Sequence, residues 1–363
     1  MAYGNRLRSA MLALLLTTGC AEPVVTEFRW SALSGEVSAL IWTTSDRVAQ
    51  EIFEEMQLAT ERAEAAADLA RPDSALSRLN EHAAEAPFLV EERDLYVCIK
   101  RAQEYARASS GAFDVTLGPV IGLYREAAQQ GSLPSDAAIE EALEQVAWAD
   151  VTMFPEAHAV RFRRHGMKID LGGMADGLAL DLAMRAFSRV GSRAGLLQLR
   201  GSVQAWGTPP GGDSWEVPLE DPRTAGVEFA SLTVDNRAIG IVGSAFVPPD
   251  PAGQPSPLVL DPRTGKPSTS NVLVAVAVAE GAADATALAQ ALAVSGTLAA
   301  GTLLDKTRRV EAILLVQGNG EPYVLASASL RGRLQLSESL LQEVGGRVRY
   351  ILPPQSIDVN LGM

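Results

Sequence analysis

Apolar positions along this chain alternate between two periods. Residues 37–44 form a mixed apolar run that predicts a strand. From 46 to 70, Val48, Ile52, Met56, Leu58 and Ala66 fall near helical spacing among charges, which predicts an amphipathic helix capped by Ser45. A second helix is expected over 91–109, ended by Gly111, and a third over 135–146 with Glu140, Glu141 and Glu144 on its wet side. Residues 150–168 alternate as a hairpin does. A helix over 175–190 follows, then strands over 196–206, 215–219, 238–242, 272–279 and 311–316, and a terminal amphipathic helix over 334–344. Hairpins with intervening helices make an α+β pattern. The proline-rich stretch 248–257 reads as an exposed loop, and Asp-Pro-Arg-Thr at 221–224 and 261–264 as turn chemistry.

The densest stretch chemically is 168–181, where an apolar strand end runs through Asp170, Leu171, Gly172 and Gly173 into a helix start with a further glycine at 177. Glycines here let backbone N–H groups approach a ligand closely, and the helix that follows turns its positive dipole end toward an anion such as a diphosphate. A tight turn with close helix packing needs the same residues.

With 363 residues, 47% hydrophobic and 21% charged, the chain can bury a full core. Its net charge of −13 leaves no dense basic face for nucleic acid. The N-terminus carries Arg6 and Arg8, an apolar run over 10–16, and then Thr17, Thr18, Gly19 and Cys20. This is a secretory leader, and Gly19-Cys20 reads as a lipobox with Cys20 the acylated first residue; cleavage after Ala21 is the alternative. Such a leader implies export to the periplasmic side of a bacterial membrane with lipid anchoring. Cys98 is then the one cysteine left, at helical spacing with Leu95 and Ala102, as a core residue without a disulfide. No P-loop, Gly-x-Gly-x-x-Gly after a strand, Gly-x-Ser-x-Gly or Cys/His metal cluster occurs.

The glycine turn lies in order between the runs 72–80 and 110–119 upstream and 260–267 and the helix through Gly296 downstream. In that order and at those spacings the chain resembles the ApbE family, the FAD:protein FMN transferases, over nearly everything after the leader. The resemblance implies an α+β fold of mixed and antiparallel sheets with packed helices in two intimate lobes. It also implies a domain over 27–345, between the leader (1–20) and a tail (346–363). The reaction implied splits the FAD diphosphate and joins FMN through a phosphoester to a threonine of an acceptor protein, here an envelope redox protein, with release of AMP. FAD is the substrate and Mg²⁺ the cofactor, since the diphosphate needs a countercharge.

By the same resemblance the flavin nucleotide falls to Asp114, Asp170, Gly172, Gly173, Asp176, Gln198, Gly243 and Asp261. The metal falls to Thr286, Gln290 and a backbone carbonyl near Ala175. Several positions depart from the family. Thr286 and Gln290 stand where it supplies an aspartate and a threonine, while Asp284 sits about 200° around a helix from the face of Thr286. Asp176 replaces a lysine, Arg200 a glycine and Leu258 a histidine, and Ile241 and Val242 replace hydroxyl residues. Gln198 and Ser202 flank Arg200 in a strand whose family version ends Asn-x-Gly-Gly-Asp. Such losses weaken or abolish Mg²⁺ binding. No catalytic residue is assigned: His82, His158 and His165 read as loop or hairpin residues. Three functions remain open: a transferase with full or reduced activity, a noncatalytic flavin- or protein-binding lipoprotein, and a purely structural envelope lipoprotein.

Overall fold

Strand alternation builds one nine-stranded sheet in which spatial order follows chain order. Its strands are Val24–Ala32, Gly35–Thr43, Ala194–Leu199, Ser202–Gly207, Ala238–Gly243, Val272–Ala279, Glu311–Val316, Tyr323–Ser327 and Val348–Ile351. All neighbours are antiparallel except the last pair, which is parallel. The computed structural model describes residues 24–189, 193–209, 211–221, 226–243, 259–307 and 309–351. The leader, Cys20, the 248–257 loop and Leu258 lie outside them.

Period two sorts the core. In Val272–Ala279, Ala275, Ala277 and Ala279 join the core on one face of the sheet, while Val274, Val276 and Val278 join the core on the other. The alanine face carries the helices, and the valine face packs on a three-stranded sheet of Leu334–Leu336, Glu228–Val234 and Trp215–Glu220. Two packed layers thus share one sheet, which is the α+β arrangement expected. Small residues on the helix face let α7 (Ala282–Lys306) lie close: a Cβ on Gly240 would fall 2.5 Å from the Ala285 carbonyl carbon. By length and composition α7 is apolar enough to cross a membrane, yet it is the central core helix of this fold.

The helix α1 (Asp46–Ala67) starts where expected, with Ser45 accepting from the Val48 N–H. Ser135 caps α5 (Asp136–Leu143) in the same way, α3 (Arg93–Ala108) buries Cys98, and α6 (Gly173–Arg189) follows the glycine turn. The hairpin of 150–168 is Val151–Phe154 paired with Ala159–Phe162.

Four readings need correction. Residues 196–206 are two strands of a hairpin, joined by the two-residue turn Arg200-Gly201 in which Arg200 takes the left-handed position (φ 50°). Residues 334–336 form a strand, and a short helix, Glu338–Glu343, begins only after the cap Ser337. Two helices were unassigned, α2 (Ala75–His82) and α4 (Gly118–Gln129); the first spans only two turns and the second opens on Gly-Pro, so neither shows a long periodic run. His82 therefore ends a helix instead of sitting in a loop. The sheet runs from Val24–Ala32 at one edge to Val348–Ile351 at the other.

Candidate functional site

The glycine turn is held from beneath. Asn80 in α2 accepts the Ile169 N–H at 2.7 Å and donates to the Ile169 carbonyl at 2.8 Å, so one amide replaces a missing strand neighbour. Asp170 is buried, accepts the Gly172 N–H at 2.8 Å and pairs with Arg125 at 2.9 Å. With the turn so fixed, Gly172 takes φ +53° and Gly173 opens α6 against α7, where a Cβ on Gly173 would lie 2.8 Å from Thr286 Cγ2. The side chain is absent because the helices leave it no room.

Above this turn lies a cleft of about 950 Å³. It brings together Gly172, Gly173, Asp176, Gln198, Gly243, Thr286 and Gln290 from 119 residues of chain, 172 to 290, which sequence alone could place only by resemblance. The other expected residues lie off its wall. Asp114 is buried and accepts from the Thr116 N–H (2.8 Å), the Thr116 Oγ1–H (2.6 Å) and the Trp148 N–H (3.1 Å), a loop clamp with its oxygens already used. Burial pushes its carboxyl up, against those hydrogen bonds. Asp261 holds its own turn through Arg263. Ala175 is buried in the first turn of α6, and Asp170 acts from beneath. Asp284 pairs with Arg101 at 2.8 Å on another side of α7, as its rotation from Thr286 requires.

The cleft's polar groups divide into two sets. At α7, Thr286 Oγ1 donates to the Ala282 carbonyl and accepts from Ser202 Oγ, both at 2.9 Å, with Gln290 one turn further along. At the hairpin tip, Arg200 forms an ion pair with Asp176 and donates to the Leu33 carbonyl. Burial raises the Asp176 carboxyl and Arg200 pulls it back down. The lysine-to-aspartate and glycine-to-arginine departures therefore compensate each other: Asp176 is no bare repulsive charge.

The donor set at α7 and the hairpin tip, where the resemblance places the metal, does not fit a magnesium ion. A hard divalent cation takes oxygen ligands with at least one free carboxylate. Thr286, Gln290 and Ser202 are neutral, and Asp176 is already paired. Among the described residues no three His, Cys, Asp or Glu side chains converge on a point.

Sequence reasoning missed one wall. Arg29, Glu36, Glu220 and Asp221 also line the cleft, with Arg29 bonded to Glu27 and Glu36 across the first hairpin. The alternation of charge over 27–36 was the available signal. Among the described residues no histidine lines the cleft.

The sequence model of the ApbE family matches residues 34–314. The FAD:protein FMN transferase of Treponema pallidum is 29% identical over 74% of this chain and 77% of its own length. That of Vibrio cholerae is 22% identical over 89% and 97%. Among solved structures, the flavin transferase ApbE from Vibrio cholerae superposes with a TM-score of 0.75 at 18% identity, covering 86% of this chain and all of that one. The ApbE protein of Thermotoga maritima gives 0.66 at 24% identity over 88% and 99%.

Proposed function

Because the chain belongs to the ApbE family, we propose that its cleft binds FAD and that it acts as an FAD:protein FMN transferase. The observation that carries this reading is the cleft itself: the glycine turn, the start of α6 and the Thr286–Gln290 face of α7 open onto one space of about 950 Å³, large enough for a nucleotide. The acceptor hydroxyl oxygen attacks the FMN-side phosphorus, the anhydride P–O bond breaks, AMP leaves, and the hydroxyl proton passes to solvent. The chain's own contribution is binding and orientation, with the Gly173 N–H and the positive dipole end of α6 turned toward the phosphate oxygens. The acceptor is a threonine of an envelope redox protein, reached from a lipid anchor at Cys20; the leader sequence supports export to the periplasmic side.

A second reading, a protein that holds flavin or a protein partner without transfer, is favoured by the neutral Thr286–Gln290 face and the paired Asp176. Calorimetric titration of the chain begun after Cys20 with FAD, with AMP release measured beside a threonine-bearing acceptor, separates them. Binding with AMP release supports the transferase. Binding without release supports the holding protein, and no binding defeats both.

A further inference from the structure

We propose that the Arg200 guanidinium is the cleft's countercharge for the diphosphate of a flavin nucleotide, so that this chain binds its nucleotide without a divalent cation. This rests on the flavin-nucleotide reading above and names the group that recognises the phosphates.

The backbone gains nothing from arginine at this position. Residue 200 has φ 50°, where an L side chain is strained and glycine fits best. Its side chain is nonetheless anchored at two points, Asp176 on α6 and the Leu33 carbonyl between the first two strands, which fixes the guanidinium plane at the cleft wall. A guanidinium has five N–H donors, and these contacts leave others for a ligand.

Burial gives the pair a direction. The Asp176 side chain is 9% exposed and that of Arg200 45%, so the negative end is sunk beneath the floor and the positive end meets an incoming anion. The planar fork matches phosphate oxygens in a way that Thr286, Gln290 and Ser202, being neutral, cannot. Gly172 and Gly173 line the same cleft; the N–H groups of Gly172, Met174 and Ala175 are spent within the turn, so the Gly173 N–H and the guanidinium hold one diphosphate from two elements. Glu220 on the same cleft disfavours phosphate beside itself.

The test is titration of the soluble chain with FAD, inorganic pyrophosphate and riboflavin, each in EDTA and in Mg²⁺, for wild type, Arg200→Gly and Arg200→Lys. The wild type is expected to bind FAD in EDTA within about twofold of its affinity in Mg²⁺. Arg200→Gly should weaken FAD and pyrophosphate by about tenfold or more and leave riboflavin, which has no phosphate, nearly unchanged. Arg200→Lys keeps Asp176 paired if the glycine variant does not fold, and should show a smaller loss of the same pattern. FAD binding that disappears in EDTA overturns the proposal while the flavin reading stands. So does a variant that binds FAD as the wild type does, or one that loses riboflavin as much as FAD. A wild type that binds no FAD in either solution overturns the flavin reading, and this proposal with it.

Discussion

The two sides of the α6–α7 pair differ in what their polar groups do. On the cleft side the helices offer Gly173, Thr286 and Gln290, with the Asp176–Arg200 pair at the rim. On the other side they enclose a second cavity of about 440 Å³, where the carboxylates are committed to structure. Asp181 of α6 accepts Ala282 N–H (2.7 Å) and Ala283 N–H (3.2 Å), capping an α7 whose own N-cap, Gly281, has no side chain to do so. Asp284 is held by Arg101, and Cys98 is buried with its thiol pushed up by burial and by nearby carboxylates. Between the two sides Gly177 meets Ala283, where an added Cβ would lie 2.3 Å from the backbone nitrogen. A carboxylate that caps a neighbouring helix is lost to metal chemistry. The pair is locked on one side by carboxylates, and on the side that faces a ligand α7 offers only neutral groups while the one α6 carboxylate, Asp176, is held by Arg200.

Separating the helices should have the largest effect. Gly177→Leu has only backbone to push against, so a loss of about 3 kcal/mol or more is expected, read as a collapse of the thermal melt. Next comes the cap. Burial raises the Asp181 carboxyl from 3.8 to about 6, so the folded chain holds that proton more tightly than the unfolded one. The resulting stability is full below about pH 4 and lost as pH rises through about 6, about 2–3 kcal/mol in all. Asp181→Asn should flatten that part of the profile, and denaturation of both proteins from pH 4 to pH 7 checks the sign. A wild-type minus variant difference that rises with pH would reverse the argument.

Smaller changes make the two sides alike. Thr286→Asp with Gln290→Thr installs a carboxylate at the cleft, and should create Mg²⁺-dependent FAD binding about tenfold tighter than in EDTA. Titration without any such dependence would place the metal face elsewhere. Arg101→Ala frees Asp284 on the far side; the pair is partly exposed, so about 1 kcal/mol of stability is expected to go while FAD affinity stays. A fall in affinity would show that the two sides communicate.

Much of the framework was legible in the chain. Ser45 before an apolar period, Ser135 after Pro134, and the Val/Ala alternation of 272–279 each predicted the element found, since caps and periodicity act over a few residues. The glycine turn was legible too, although its support by Asn80, 89 positions from Ile169, was not. The hairpin at Arg200-Gly201 was hidden because a two-residue turn interrupts the strand-like run only briefly, and its first residue, Arg200, is not one that turns prefer.

By itself the sequence determined the family, the α+β order of elements and which residues could not be charged ligands, because these depend on residue identity and local spacing. Only the tertiary structure decided what each charge does. Asp176 and Arg200 are 24 positions apart, and Arg101 and Asp284 are 183 apart. Whether such groups repel, pair or face a ligand depends on where sheet and helices carry them, and Coulomb energy follows distance in space, not along the chain.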